Sequence, residues 1–278
     1  MTNTDRSRVT RREDQFAKKI VTKIWSETPS TKNPYIAESS HCHGYDLLEL
    51  MAKRSYPDLV FLLFKGELPT PQESQLMERL MIAFINPGPR HPATRAAMNA
   101  GVGKTDPSHI LPIGLTILGG EHLGAAEVEP AIRWLRKQAK RDPHTTAEEL
   151  IKAHSDKEEG DLHIAPGFGS HFGGVDQMVV RIARQLITLP GAGKIMQWAD
   201  AFSRALEQHN MGWLSTGLVG AVLADLGFQP RMGGGIFQIM SAPGLFAHGI
   251  EMASKPLTAM PFPDDKDYFI ETGEEKNQ

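Results

Sequence analysis

Apolar residues recur every three or four positions along most of the chain, the spacing that lines one face of a helix. Leu47, Leu48, Leu50 and Met51 predict a short helix. A second is expected to open at Pro57, after Ser55 or Tyr56, and to end at Gly66, with Pro69 confirming the break. In "TPQESQLMERLMIAFI", Thr70 reads as an N-cap, Pro71 takes the first helical position and Glu73 completes a capping box. "HPATRAAMNAGVG" starts another helix. "SHILPIGLTILGGEHLGAAEVEPAIRWLRKQAKR" is apolar and rich in small residues, then charged, so its helices can approach closely. Residues 142–162 are polar and acidic and read as a short surface helix plus a loop. "GVDQMVVRIARQLITLPGAG" is helix-like up to Pro190. Ile195, Trp198, Ala199, Phe202 and Leu206 fall on one side of the next helix and read as core. "GLVGAVLADLGF" is a buried type of helix closed by Gly227, and "GGGIFQIMSAPGLFAHGIEMASK" predicts a helix, a Pro–Gly interruption and a second helix. Phe16, Ile20, Val21 and Ile24 repeat at helical spacing near the start. No stretch alternates as an extended sheet requires, so an all-α fold is expected.

Composition narrows the class. A chain of 278 residues with 40% hydrophobic and 23% charged residues can hold one large core or two smaller ones. A net charge of -3 does not suit a polyanion-binding protein. The early bases Arg6, Arg8, Arg11, Arg12, Lys18, Lys19 and Lys23 are interleaved with Asp5, Glu13 and Asp14, and read as a solvated arm or amphipathic helix. The longest apolar runs have six and eleven residues, against about 20 for a membrane span. Cys42 is the sole cysteine, so no intrachain disulfide can form, and no apolar signal stretch opens the chain. A soluble, cytoplasmic protein that binds neither nucleic acid nor membrane is expected.

Few places can carry chemistry. His122 sits among glycines and alanines in "GGEHLGAAEVE", where it is either a proton or hydrogen-bond donor to a carbonyl or an ordinary satisfied histidine. In "PGFGSHFGGVD", Gly167, Gly169, Gly173 and Gly174 flank Ser170 and His171. That pattern allows close backbone approach to a ligand, or makes a simple turn. Arg90, His91 and Arg95 can hold a carboxylate or phosphate, or open a solvated helix. His41, Cys42 and His43 stand together but lack partners at zinc spacing, so no metal is expected. His144, His154 and His163 lie in or near a polar linker and read as exposed, and His248 reads as structural.

Four segments together resemble the citrate synthase superfamily, particularly its short citryl-CoA lyases. They are "HGYDLLELMAKRSYPDLVFLLFKGELPT", "GGEHLGAAEVE", "PGFGSHFGGVD" and "GLVGAVLADLGFQPRMGGGIFQIMSAPGLFAHGIEMASKP", and the likeness runs roughly from Tyr35 to Tyr268. The resemblance implies an all-helical citrate synthase-like fold in a homodimer. A large domain of residues 31–124 and 226–278 would carry a small inserted domain of residues 125–225, behind an N-terminal arm of residues 1–30. It implies a coenzyme A thioester as substrate, with no tightly bound cofactor, and a small oxo or hydroxy acid as partner.

By the same resemblance His122 matches the histidine that stabilises the thioester enol. Ser170 takes the place of the ketone-polarising histidine, and His171 follows one position later. Gly167, Phe168 and Gly169 are the expected coenzyme A contacts. The family's Asp-Pro-Arg becomes Asp176-Gln177-Met178, with Arg181 nearby. Thr216 stands where the family has its aspartate base. Ser241, Lys255 and His43 stand where it has arginines. The family's Asp-His-Gly is Asn86-Pro87-Gly88, with His91 just downstream. The expected activity is that of an acyl-CoA carbon–carbon lyase or synthase with a non-standard, less polar oxo-acid partner. Its base would be Asp176, His209 or a water held by Thr216. A thioester hydrolase or isomerase using His122 and His171, with Glu121 and Asp176 as orienting carboxylates, is one alternative. An inactive partner protein on the same scaffold is the other.

Overall fold

The computed structural model describes residues 18–154 and 163–269. These form two compact units that divide between Leu68 and Pro69, a boundary the sequence reading does not place.

The first unit pairs a small antiparallel sheet with two helices. Strands β1 (Trp25–Pro29), β2 (Ala37–Cys42) and β3 (Tyr45–Asp46) lie in that order. His43 and Gly44, both at positive φ, make the two-residue turn between β2 and β3. Helix α1 (Leu47–Lys53) is capped by Asp46. Helix α2 (Tyr56–Lys65) begins with a capping box at Ser55 and Asp58 and ends at Gly66, whose φ of 80° is left-handed. Cys42, Leu50 and Leu62 form the core, with Leu59 and Leu68 packed beside them.

The helix expected around Ile20–Ile24 is absent; Phe16 lies outside the described residues. Ile20 and Val21 are exposed, and Trp25 already belongs to a strand. A run of β-branched side chains loses rotamer freedom in a helix, and this one has no apolar surface to repay it.

The second unit is built mainly of helices: α3 (Pro71–Ala83), α4 (Pro92–Val102), α5 (Pro107–Leu118), α6 (Ala125–Gln138) and α7 (Pro143–His154), then α8 (Gln177–Leu186), α9 (Lys194–Leu206), α10 (Ser215–Asp225) and α11 (Gly233–Ala253). The capping box at Thr70 and Glu73 is present at the start of α3. A second small sheet joins β4 (His163–Ala165), β5 (Phe168–Gly169) and β6 (Gly212–Trp213). The strands escaped the sequence reading because each is short and their residues do not alternate.

Helix α10 is buried on every side from Thr216 to Ala224 and packs on α6 and α9. Trp134, Phe168, Trp198, Phe202 and Trp213 form one aromatic cluster beneath the second sheet. Asp225 fixes the start of α9 by accepting from the Gly193, Ile195 and Met196 amides. Helix α11 runs unbroken through Pro243, against the expected interruption. The proline does withdraw a donor, and the next residue's N–H, that of Gly244, donates to Ile85 O at 3.0 Å. Packing on α4, α5 and α6 keeps the helix continuous.

Candidate active site

The site is assembled where α6 begins and α10 begins. Gly167, at φ 80°, turns the chain between β4 and β5 directly onto Gly217 in the first turn of α10. A Cβ on either glycine would collide with the other's backbone, so only glycine permits this approach. The Leu214 amide donates to Gly167 O at 3.0 Å and locks the contact.

Glu127 lies at the centre of this junction. It is buried on the first turn of α6. Its Oε1 accepts from His163 Nδ1 at 2.7 Å and from the Gly167 N–H at 2.9 Å, and its Oε2 accepts from Thr216 Oγ1 at 2.6 Å. Burial alone would raise its pKa, but the bonds from His163, Thr216 and Gly167 outweigh it and hold the carboxyl below the usual range. An ionised carboxylate only accepts, so His163 carries its proton on Nδ1.

The loop from Gly119 to Gly124 carries His122 to the His163 ring. Leu123 adopts a positive φ of 50° within the loop. The His122 and His163 rings stack with centroids 6.3 Å apart. A cleft of about 370 Å³ opens beside them, lined by Glu121, Ala126, Glu127, Pro130, His163 and Pro166.

His91 caps α4, with Nδ1 accepting from the Ala93 amide at 3.1 Å, which leaves Nε2 to donate to Leu123 O at 3.3 Å. This bond ties the start of α4 to the His122 loop. Burial pushes the His91 pKa down; the Leu123 carbonyl opposes this, while the charges of His122 and His171 add to it. Both candidate histidines therefore lie within electrostatic reach of one ring.

The other expected residues divide into those near this junction and those tied up elsewhere. His171 closes a tight turn with Gly174 through paired backbone bonds of 2.8 and 3.1 Å, with Phe172 and Gly173 at positive φ. Ser170 is buried, and its hydroxyl has no hydrogen-bond partner among the described residues. Phe168 is core, against Trp134 and Trp213. Asp176 caps α8 by accepting from the Met178 and Val179 amides. Thr216 is fully buried and committed to Glu127. Arg90, Arg95 and Arg181 are exposed. The Ser241 hydroxyl donates to Phe84 O, and Lys255 pairs with Glu251. His43 belongs to the first unit, where Nε2 meets Leu63 O at 3.3 Å. His209 is exposed at the end of α9, while His248 is bound by Asn86.

The sequence reading missed Glu127 and misplaced His163, which is half-buried rather than exposed. A signal was available for the first. Glu127 stands four residues before Ala131 and eight before Leu135, on the buried stripe of α6. An acid on such a stripe needs partners. Nothing local predicts His163, which lies 36 residues away.

No known protein family's sequence profile matches the chain, and no curated protein sequence does. Solved structures do. The chain is similar to a citryl-CoA lyase from Hydrogenobacter thermophilus, with TM-score 0.70 and 24% identity over 93% of this chain and 96% of that one. It is similar to an ATP citrate lyase from Methanothrix soehngenii solved with citrate and coenzyme A, at TM-score 0.72 and 17% identity over 100% of this chain. The match spans 46% of that longer protein. A citrate synthase from Thermoplasma acidophilum, solved in a ternary complex with carboxymethyl coenzyme A and an oxo acid, gives TM-score 0.54 and 20% identity over 78% of this chain and 59% of that one. The chain therefore has the helical fold of citrate synthase and citryl-CoA lyase, as the sequence resemblance implied.

Proposed function

We propose that this protein makes or breaks a carbon–carbon bond next to the carbonyl of a coenzyme A thioester. The observation that carries the reading is a cleft at the start of α6 lined by the bonded pair Glu127 and His163, with the His122 ring stacked against His163, in a fold whose solved examples include coenzyme A complexes. His122 donates a hydrogen bond to the thioester oxygen as the enolate forms, the largest electrostatic contribution such a site makes. His171 contacts the second carbonyl or hydroxyl. The partner is a small oxo acid less polar than a dicarboxylate, because Arg90, Arg95 and Arg181 are exposed and Ser241 is bonded to backbone. The protein acts as a homodimer. Ile113 and Ile117 of α5 and Phe246 and Ile250 of α11, large apolar side chains left exposed on two packed helices, are the surface that pairs.

Incubation with acetyl-CoA and a panel of short 2-oxo acids, read by mass spectrometry, tests this. A condensation product is expected, reduced about 10²–10³-fold in His122→Ala. Free thiol without a new carbon–carbon bond identifies a hydrolase instead, and no turnover with any partner rejects the proposal.

A further inference from the structure

Thr216 stands where the resemblance expects a carboxylate base, yet a carboxylate is still present there. It comes from α6 instead of α10, and the Thr216 hydroxyl holds it at 2.6 Å. That carboxylate is poorly suited to take a proton itself. Three donors occupy it, and they hold it ionised. A saturated carboxylate is a weak base but a firm orienter of an imidazole. With Nδ1–H directed at Glu127, the His163 ring carries its lone pair on Nε2.

We propose that His163, oriented by Glu127, is the general base of this site and takes the α-proton of the bound acyl thioester; this rests on the thioester reading above. Glu127 and Thr216 are positioning residues. The two rings are stacked 27° from parallel, so a substrate engages the pair along the ring edges, where the nitrogens lie, and not between the faces. The thioester oxygen and the α-carbon are two bonds apart, and the His122 and His163 centroids are 6.3 Å apart. Each ring nitrogen then needs a reach of about 3 Å.

The step balances within the site. His163 Nε2 accepts the α-proton and becomes an imidazolium, whose charge the Glu127 carboxylate offsets. The electrons of the broken C–H bond form the carbon–carbon double bond. The carbonyl π pair moves to the oxygen, where His122 donates a hydrogen bond. The imidazolium returns a proton to carbon, or exchanges it with solvent, since the His163 side chain is 28% exposed. Among the described residues, the charged and titratable groups on the elements around it are Glu127 from α6, Glu121 and His122 from the loop before it, and Lys152 and His154 at the end of α7, which packs on β4. A serine–histidine pair is disfavoured. Gly169 lies directly across from His163, so the next residue, Ser170, projects to the opposite face.

The test is exchange of the acetyl-CoA methyl protons in deuterated water, followed by NMR on the full chain across pH 4–8. The ascending limb is expected in the imidazole range, about pH 6–7, not near pH 4 where a carboxylate titrates. His163→Asn should slow exchange about 10²–10⁴-fold while binding acetyl-CoA normally by calorimetry. Glu127→Gln should move the limb to lower pH, because the imidazole loses its anionic partner; a purely structural role would lower the rate without moving the limb. Thermal melts accompany each variant, and if His163→Asn does not fold the wild-type limb decides. A limb near pH 4, or full exchange by folded His163→Asn, overturns the assignment of the base alone. Wild-type protein that binds acetyl-CoA yet exchanges nothing overturns it too. Protein that neither binds nor exchanges removes the thioester reading, and the base with it.

Discussion

Truncating Glu127 to alanine tests the junction at the start of α6 most severely. The change strands three donors. Thr216 is fully buried and the Gly167 amide is buried, so neither finds water. His163 is half-exposed and can be rehydrated. Each stranded buried donor costs about 1–3 kcal/mol. Two of them, less the relief of no longer desolvating a carboxylate, give a loss of about 3 kcal/mol. In a unit of this size that is a fall in Tm of about 6–12 °C. Glu127→Gln keeps the shape, and the Thr216 hydroxyl can rotate to accept from the new amide, so a loss of about 1 kcal/mol is expected. The pH dependence has a definite sign. The folded carboxyl titrates below its unfolded value of about 4.3, so its stabilisation is complete above that pH and is lost as pH falls through the folded value. The gap between wild type and Glu127→Gln should therefore close in acid. Urea denaturation at pH 7 and pH 3.5 measures both quantities. A loss under about 1 kcal/mol for Glu127→Ala, or a gap to Gln that ignores pH, refutes the role of Glu127 as an ionised, fully bonded anchor.

His91→Ala removes the cap of α4 and the tie to Leu123, and should cost about 1–2 kcal/mol by denaturant titration at pH 7.5. The folded His91 pKa is lowered, so its stabilisation is present above the unfolded value of about 6.5 and lost as pH falls, and the cost should be smaller at pH 5. Gly217→Ala places a methyl group against the Gly167 backbone and should destabilise by about 3 kcal/mol or more, whereas Ala in place of exposed Gly235, which has open space around it, should be nearly neutral; a calorimetric scan of both separates the two cases.

Much of the fold was legible because it rests on local chemistry. Thr70, Pro71 and Glu73 announce α3, Ser55 and Gly66 bound α2, and the uniform apolar run of α10 marks a helix enclosed by others. The strands were not legible. β2 reads Ala-Glu-Ser-Ser-His-Cys and is only partly covered, so no buried face imposes an alternating pattern. The continuity of α11 through Pro243 depends on neighbours that cover it and on a carbonyl at Ile85 that no local pattern predicts. At the site, the glycine loops and His122 stood out because small residues around a titratable ring are unusual. The Glu127–His163 pair did not, because its members meet only after the chain has folded back from α7 through β4.

The central claim is that a thioester lies with its oxygen at His122 and its α-carbon facing His163. A crystal structure with a non-reactive thioether analogue of acetyl-CoA places those atoms directly. The analogue is expected in the cleft beside Glu121 and Pro130, its carbonyl oxygen about 3 Å from a His122 ring nitrogen and His163 Nε2 turned toward the adjacent carbon. An analogue bound elsewhere, or a His122 ring directed away from it, contradicts the account.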